Sequence, residues 1–192
     1  MSETSRDLEF HPVTPDRWSD FETLFGPRGC GGCWCMWFRR TRAEFEAQKG
    51  EANRLAMRAI VDAGEVPGIL AYAGGRPVGW CSVAPRQQFT ALARSRLLKP
   101  VDDRPVWSVV CFYIAKDMRR KGVTSALIRA AVDYAAAHGA DIVEAYPVEP
   151  RKPDAPAMFL YHGVVPAFRK AGFVEVARPS ETRAIMRYFI RE

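Results

Sequence analysis

Apolar residues concentrate between positions 106 and 137, and within this stretch their spacing changes from a continuous run to a helical repeat. The run V-W-S-V-V-C-F-Y-I at 106–114 is interrupted only by Ser108, which is typical of a short strand buried on both faces. Farther along, apolar residues recur every three or four positions, as on the buried face of a helix. They are Val123, Ala126, Leu127, Ala130, Ala131, Tyr134 and Ala135. The pattern predicts a buried strand, a turn and a helix, in that order.

The turn between this strand and this helix carries three cations and one glycine, Arg119-Arg120-Lys121-Gly122. The first backbone N–H groups of a helix lack intrahelical partners, and the helix dipole adds positive charge beside them. Glycine lets the backbone approach a ligand closely. We therefore predict that a phosphate or pyrophosphate binds here, although an ordinary surface turn with solvated charges has the same pattern. Neither a P-loop nor a G-x-G-x-x-G fingerprint is present.

The residues before this unit predict further elements from their spacing and capping signals. A strand is predicted at 8–13, followed by a helix that begins at Thr14-Pro15. Thr41 and Glu44 have the spacing of a capping box, so another helix begins there, and a second helical piece follows at 51–63.

Two strands at 69–73 and 78–83 are joined by a turn that contains Gly74-Gly75, which predicts a hairpin. The next segment, 85–105, is irregular and partly helical, and we favour a solvated surface for it over a segment that reaches over the site. Its arginines include Arg86, Arg94 and Arg96.

The C-terminal part predicts a strand at 141–148, which must run parallel to the strand at 106–114 because a helix crosses over between them. A proline-rich loop follows at 149–156. A short helix at 166–171 then leads to a final antiparallel pair at 173–177 and 182–190.

Length and composition indicate one globular domain spanning residues 1–192, with 48% apolar and 26% charged residues. No apolar run reaches the 18 residues of a membrane span, and the polar residues 1–7 predict no signal peptide. We therefore expect a cytoplasmic protein that does not act on a membrane.

The formal net charge of +6 suits an anionic ligand. The basic runs, Arg39-Arg40 and 119–121, are short, and no helix is basic along one face. We therefore expect no nucleic-acid partner.

Five cysteines stand at 30, 33, 35, 81 and 111, and we expect them to be reduced thiols. Cys81 and Cys111 lie in apolar strands and are expected to pack as small hydrophobic residues. Cys30, Cys33 and Cys35 form a cluster, but no second Cys/His pair follows at zinc-finger spacing. We expect no metal and favour buried thiols.

An aromatic segment at 33–38, C-W-C-M-W-F, follows a glycine-rich loop at 26–32. A large apolar segment beside a flexible loop can line an acceptor pocket, and it can equally form core or a dimer contact. The residues alone do not separate these alternatives, and a homodimer is left open.

The strand, the motif Arg119-x-x-Gly122-x-Thr124 and the helix together resemble the acetyl-CoA motif of the GCN5-related N-acetyltransferase (GNAT) superfamily. Thr124 departs from the family pattern, which has a small residue there. The stretch Lys170-Ala171-Gly172-Phe173 is similar to the family's K-x-G-F ending. The resemblance covers most of the chain, and residues 1–65 are its least typical part.

This resemblance implies an α/β fold of mixed α+β type: a central mixed, mostly antiparallel twisted sheet of about seven strands flanked by helices. Two splayed parallel strands would form the cleft for acetyl-CoA, the co-substrate. A backbone N–H near Phe112, Tyr113 and Ile114 would polarise the acyl carbonyl. The residues expected to bind the cofactor are Phe112, Tyr113, Ile114, Arg119, Arg120, Lys121, Gly122, Val123 and Thr124. The acceptor wall would include Trp34, Trp37 and Arg39.

Transfer to an amine also needs a base for the ammonium and an acid for the leaving thiolate. Glu144 is the leading base candidate, and Tyr146 shares its strand face by period two; a satisfied strand carboxylate is the alternative for Glu144. The family often places a tyrosine five residues before the Phe of G-F, where this chain has Phe168. Tyr161 or Tyr146 is therefore favoured as the acid, with Tyr113 or water also open.

Taken together, we expect an acetyl-CoA-dependent N-acetyltransferase in which a primary amine of a small-molecule acceptor attacks the thioester directly in a ternary complex. A covalent acyl-enzyme is not expected, because no Ser/His/Asp or Cys/His order is apparent. One alternative is a GNAT-fold protein that binds acyl-CoA with weak catalysis. Another is a basic module that binds nucleic acid or protein through the segment 33–38.

Overall fold

A computed structural model describes residues 8–150 and 160–191. Residues 1–7, on which the expectation about a signal peptide rests, lie outside the described residues, as does most of the predicted loop at 149–156.

A seven-stranded sheet forms the centre of the described structure, in the order β1-β2-β3-β4-β5-β7-β6. The pair β4–β5 is parallel and every other neighbouring pair is antiparallel. The strands are β1 Leu8–Pro12, β2 Gly68–Ala73, β3 Arg76–Pro85, β4 Trp107–Ile114, β5 Ile142–Ala145, β6 Val174–Ser180 and β7 Arg183–Phe189. The sheet and its flanking helices confirm the predicted fold class.

Seven helices are assigned in the described residues: α1 Trp18–Phe25, α2 Gly29–Gly32, α3 Arg42–Ala47, α4 Glu51–Asp62, α5 Thr90–Ala93, α6 Val123–Ala137 and α7 Val165–Lys170. Short 3₁₀ turns are found at Pro15–Arg17, Arg86–Gln88 and Lys116–Met118. The segment α2 is a single irregular turn, because Cys30 and Gly31 inside it have left-handed backbone angles.

The local signals in the sequence explain several boundaries. Thr41 and Glu44 form the predicted capping box, with the Thr41 side chain accepting from the Glu44 backbone and the Glu44 side chain accepting from the Thr41 backbone. The strand predicted at 141–148 pairs only as Ile142–Ala145. Pro147 lacks an N–H for a ladder, which is consistent with the early end of β5.

Helices α6 and α7 cover one face of the sheet. The largest hydrophobic cluster lies between α6 and the sheet, and it includes Leu127 and Ile128 of α6 and Val83, Val109 and Val143 of the strands. This arrangement follows from the apolar stripe of α6, which needs a face against which to be buried.

The opposite face carries two further clusters. An aromatic cluster around Phe21, Phe25 and Trp80 packs α1 against the sheet. A third cluster includes Phe89, Leu92 and Leu98 from the segment 85–105.

The interpretation of 85–105 as solvated surface is therefore wrong for its first half. Phe89 and Leu92 are each 1% exposed, and Arg86 is 14% exposed at its side chain. The segment covers the sheet face because its apolar side chains are removed from water when they pack there. The other alternative, a segment that reaches over the site, stays a prediction; Leu92 and Leu98 of this segment line a cavity described below.

The parallel strands β4 and β5 pair over three positions, Trp107 to Val109 with Val143 to Ala145. Beyond Val109, β4 continues along β3 to Ile114 without β5 beside it. The two strands therefore separate at the end of β4 that leads into α6, and this positions the site. Among the helices of the described residues, none has the length and apolar character needed to cross a membrane.

Candidate active site

The basic bend that begins α6 has the backbone geometry of an open helix start. Gly122, the N-cap, has φ 84° and ψ 0° in the left-handed region, and as a glycine it has no side chain with which to cap the helix. Arg120 also has a positive φ of 61°, and Arg119, Arg120, Lys121 and Gly122 are all exposed. The Arg119 Nε–H donates to the Ile114 carbonyl at 3.2 Å, so the bend lies against the end of β4. Such an end can hold an anion on its N–H groups.

The edge of β4 that β5 leaves is occupied by the segment 160–163. The backbone N–H of Phe112 donates to the carbonyl of Tyr161 at 2.6 Å. Nδ1 of His162 lies 3.1 Å from the Val110 carbonyl oxygen. Because a carbonyl oxygen only accepts, this contact assigns the ring proton to Nδ1. The N–H expected to polarise an acyl carbonyl is therefore used inside the protein, and a thioester at Phe112 requires this segment to move.

Glu144 lies at the centre of a buried ion-pair network. Its side chain is 0% exposed, and the Arg187 Nε–H donates to Oε2 at 2.8 Å while the Arg86 Nη1–H donates to Oε1 at 3.1 Å. The Tyr146 hydroxyl donates to Oε1 at 2.7 Å, so the two residues share a face as their spacing predicts. Asp102 extends the network by a two-pronged contact with Arg187 at 2.6 and 3.0 Å.

This network engages Glu144 and Tyr146 with each other and with two arginines. Both carboxylate oxygens of Glu144 accept hydrogen bonds from guanidinium or hydroxyl donors, and the side chain is fully buried. Burial and the neighbouring Glu144 charge raise the pKa of Tyr146 far above its usual range. These contacts match the alternative considered for Glu144, a strand carboxylate that accepts hydrogen bonds within the protein, and its role as a base stays a prediction.

A cavity of about 490 Å³ lies on the sheet face opposite α6 and α7, beside the segment 160–163. We call it the arginine pocket. It is bounded by the connection after the aromatic segment, by α5 and the residues that follow it, and by the start of β7. Its lining residues are Trp37, Phe38, Arg40, Arg42, Ala91, Leu92, Ser95, Leu97, Leu98, Tyr161, His162 and Arg183.

Of the three residues expected at the acceptor wall, the arginine pocket contains Trp37, which is 36% exposed. Trp34 is 5% exposed and packs against Phe25 with ring centroids 6.0 Å apart. Arg39 donates to the Pro67 carbonyl at 3.2 Å and its guanidinium lies 4.7 Å from the Phe89 ring centroid. Both of these residues therefore pack within the protein instead of lining this pocket.

Tyr161 and His162 form the end of the arginine pocket nearest to β4, with ring centroids 4.0 Å apart. Burial, with a smaller effect of Cys111, raises the pKa of Tyr161, so its hydroxyl stays protonated at neutral pH. Burial, with a smaller effect of the Arg183 charge, lowers the pKa of His162 to about 3. Phe168, at the family's usual tyrosine position, is fully buried.

The cysteines divide between core and surface. Cys81 is fully buried and Cys30 is exposed. The Trp80 Nε1–H donates to the Cys35 sulfur at 3.1 Å. A hydrogen bond from the Cys111 thiol and this indole contact lower the pKa of Cys35, against the opposing effect of burial. Within residues 8–150 and 160–191, no group of three or more His, Cys, Asp or Glu side chains could hold a metal ion.

A second depression, of about 780 Å³, lies beside α1 and α4. Its lining residues include Glu22, Trp34 and Arg54 and none from β4 or the segment 160–163. Although it is the larger of the two, it does not adjoin the place where β4 and β5 separate.

Four charged or titratable residues of the arginine pocket have no sequence signal that assigns them to a site: Arg40, Arg42, His162 and Arg183. In the sequence, Arg40 stands next to Arg39 in a basic pair. No periodicity assigns a direction to a side chain in an irregular segment, so its position in a pocket could not be derived. Arg183 is 143 positions away from Arg40 in the chain, and both line the same pocket.

Three solved structures with an N-acetyltransferase in their description resemble this fold. One from Staphylococcus aureus Mu50 is 11% identical with a TM-score of 0.54, covering 96% of this chain and 99% of that chain. A ribosomal-protein-alanine N-acetyltransferase from Brucella melitensis is 14% identical with a TM-score of 0.54, covering 95% and 99%. PaiA N-acetyltransferase from Thermoplasma acidophilum in complex with coenzyme A is 12% identical with a TM-score of 0.51, covering 98% and 99%.

No curated protein sequence matches this chain. The family model described as the acetyltransferase (GNAT) family matches residues 34–164, which include β4, the basic bend and α6. That match covers more than half of the chain, and the separated parallel strands and the open start of α6 agree with it. The chain therefore belongs to the acetyltransferase (GNAT) family.

Proposed function

We propose that this protein transfers an acetyl group from acetyl-CoA to a primary amine of a small molecule. The amine attacks the thioester carbon while both substrates are bound, a new C–N bond forms, and the C–S bond to coenzyme A breaks. Membership of the GNAT family implies acyl transfer from acetyl-CoA. We propose, in addition, that the group which accepts the acetyl is an amine and that the acceptor is a small molecule.

The observation that carries the proposal is the position of the open, basic start of α6 at the end of β4 where β5 has separated. Gly122 gives this bend a left-handed backbone, and as the N-cap it contributes no side-chain cap. The diphosphate of coenzyme A would bind on these N–H groups, with Arg119, Arg120 and Lys121 nearby. A solved structure of the same fold, PaiA N-acetyltransferase from Thermoplasma acidophilum, contains coenzyme A.

The arginine pocket is the proposed acceptor site. Its volume of about 490 Å³ falls in the usual range for small-molecule sites, roughly 300–1,000 Å³. It meets β4 at Tyr161, whose carbonyl holds the Phe112 N–H. An amine in this pocket would therefore approach the thioester from the face of the sheet opposite α6.

Tyr161 is the proposed acid for the leaving thiolate. Its raised pKa keeps the hydroxyl protonated, so it can donate a proton as the C–S bond breaks. The acceptor's ammonium first loses a proton to water in the pocket, since both oxygens of Glu144 already accept hydrogen bonds, and the resulting neutral amine attacks the thioester. Proton transfer at a positioned group typically contributes about 10²–10⁴ in rate.

Two observations favour a second candidate, a protein that binds acyl-CoA without efficient transfer. The Phe112 N–H is already paired with Tyr161, and the position at which the family often has a tyrosine contains the buried Phe168. Binding of the thioester carrier would survive both features, whereas polarisation of the acyl carbonyl and protonation of the thiolate would be weakened.

Calorimetry and a thiol-release assay test both candidates on the purified full-length chain. Acetyl-CoA is titrated into the protein, and release of the coenzyme A thiol is then followed across a panel of primary amines. Binding with amine-dependent thiol release supports the transferase, and binding without release supports the second candidate. A folded protein that does not bind acetyl-CoA would rule out both.

A further inference from the structure

All formally charged residues in the lining of the arginine pocket are cations. Arg40, Arg42 and Arg183 line the cavity, and neither aspartate nor glutamate is among the lining residues. His162 is held neutral by burial and by the neighbouring positive charge of Arg183, which lowers its pKa to about 3. A cleft lined by one sign of charge concentrates ligands of the opposite sign.

The arginines of this pocket differ from the buried arginine elsewhere in the fold. Arg187 is paired with the carboxylates of Glu144 and Asp102. In the part of the chain that the structure describes, no ion pair to a carboxylate is found for the three cations Arg40, Arg42 and Arg183. The pocket therefore contains positive charge that the described residues do not neutralise.

Two of these guanidiniums are also partly removed from water. The Nε atom of Arg40 is buried and has no hydrogen-bond partner in the described structure. Arg183 is partly buried, and this burial lowers the pKa of its guanidinium; one of its N–H groups donates to the Tyr146 carbonyl at 2.7 Å. The carboxylate nearest in effect to Arg40 is that of Glu44. Hydrogen bonds from Thr41 lower the pKa of Glu44, with a smaller effect of the Arg40 charge, so this carboxylate already has its own partners. Charged groups buried without a partner are costly, so a bound anion would stabilise this site.

Apart from Ser95, Tyr161 and His162, the remainder of the lining is apolar. Trp37 and Leu97 are the exposed large hydrophobic residues at the pocket, at 36% and 45%, and Phe38, Leu92 and Leu98 form the buried part. An apolar or aromatic body would remove these surfaces from water. Guanidinium groups bind carboxylate and phosphate in a planar two-pronged geometry, which fixes the orientation of such a ligand.

We propose that the arginine pocket binds the carboxylate or phosphate of an amine whose remaining body is apolar or aromatic. This inference rests on the proposed function, because the pocket is where the acceptor amine would bind. It adds the chemical class of the acceptor. The anionic group lies on the arginines, and the amine points toward Tyr161 and β4.

Two matched pairs of amines test this class on the full-length protein. L-phenylalanine is compared with L-phenylalaninamide, which keeps the ring and the amine and lacks the negative charge. O-phosphotyramine is compared with tyramine in the same way, so that the two pairs separate carboxylate from phosphate. Binding is measured by calorimetry, and thiol release from acetyl-CoA is measured in parallel.

We expect the anionic member of at least one pair to bind about 10- to 100-fold more tightly than its neutral partner. A hydrogen bond to a charged group contributes free energy of this size. Arg42→Gln and Arg40→Gln should each reduce this preference about tenfold or more. Arg42 is exposed at the first turn of α3, so its substitution should leave the fold intact. Arg191→Gln, which removes the same charge at an exposed position beyond β7, should leave the preference unchanged.

Neutral partners that bind as tightly as the anionic members in both pairs would overturn the inference. So would a preference that survives both pocket substitutions. If the anionic amine binds with this preference and no thiol is released from bound acetyl-CoA, the pocket assignment stands and the transferase proposal fails. If thiol is released equally well with neutral amines and without dependence on Arg42, the transferase stands and the inference fails.

Discussion

The backbone N–H of Phe112 donates to the carbonyl of Tyr161, with 2.6 Å between nitrogen and oxygen. This bond joins the free edge of β4 to the segment 160–163, where β5 no longer pairs with β4. The same segment forms one end of the arginine pocket. The edge where a thioester would bind and the pocket where an amine would bind are thus linked by this hydrogen bond and by the contact of His162 Nδ1 with the Val110 carbonyl.

If the acyl carbonyl takes the place of the Tyr161 carbonyl on Phe112, the segment 160–163 must release that bond when acetyl-CoA binds. We expect the amides in this segment to exchange hydrogen faster in the complex, because local order that depends on the bond is lost. Hydrogen exchange followed by mass spectrometry of peptides covering 160–163 measures this effect.

Coenzyme A without an acyl group is the matched ligand for this measurement. It has the diphosphate and lacks the carbonyl, so it should protect the bend at 119–122 and leave the exchange of 160–163 close to that of the free protein. Equal exchange with both ligands would show that the acyl carbonyl does not compete for the Phe112 N–H.

Gly122 is the residue at which the proposed diphosphate site can be tested most directly. Gly122→Glu places a carboxylate and a strained positive φ at the start of α6, where φ is 84°. We expect acetyl-CoA to bind at least about tenfold more weakly, a loss of about 1.4 kcal/mol or more, by calorimetry. Circular dichroism should show that the helix remains.

Gly139→Glu is the control for this change, because Gly139 also has a positive φ of 81° with open space around it. It lies just beyond the other end of α6, away from the bend. The control introduces the same charge and a similar strain, so its affinity for acetyl-CoA should match that of the unaltered protein. A similar loss in both variants would mean that strain, and not the diphosphate site, governs the affinity.

Much of the fold could be predicted from the sequence because its signals are local. The strand, turn and helix that became β4, the bend and α6 follow from a change of hydrophobic period, and Thr41 with Glu44 gives the start of α3. The segment 85–105 was harder, because Phe89 and Leu92 are buried by a contact with a distant sheet face and not by any period of their own.

The site was less predictable than the fold for a similar reason. Spacing places Glu144 and Tyr146 on one face, but it does not reveal that Arg86 and Arg187 converge on that face from 58 and 43 positions away. The arginine pocket likewise depends on residues brought together by irregular segments. Such contacts are fixed by tertiary packing, about which a single sequence has little local signal.

The ion-pair network leads to a prediction about stability. Glu144→Gln removes the charge that lies between Arg86 and Arg187 and leaves two guanidiniums facing a neutral amide. We expect the free energy of unfolding to fall by about 3–5 kcal/mol, as when a buried ion pair loses one partner. Urea unfolding followed by fluorescence measures the change.

Glu149→Gln serves as the comparison, because Glu149 pairs with Arg178 at the surface, where the two side chains are 44% and 32% exposed. A surface pair of this kind contributes about 0–1 kcal/mol, so this variant should unfold almost as the unaltered protein does. If Glu144→Gln kept its stability and lost about 100-fold or more in turnover, Glu144 would be the base expected from the sequence.

His162 gives the protein a dependence of stability on pH. Burial and the charge of Arg183 lower the pKa of His162 from 6.5 to about 3 in the folded protein. Between these values the unfolded chain binds a proton that the folded protein does not bind, so stability falls as the pH is lowered from about 6.5 toward 3. The slope from this one group approaches about 1.4 kcal/mol per pH unit.

Urea unfolding between about pH 4.5 and 6.5, above the range in which most carboxylates titrate, measures the contribution of His162 to this slope. His162→Gln should flatten the slope across that window, whereas an unchanged slope would show that His162 is protonated equally in the folded and unfolded states.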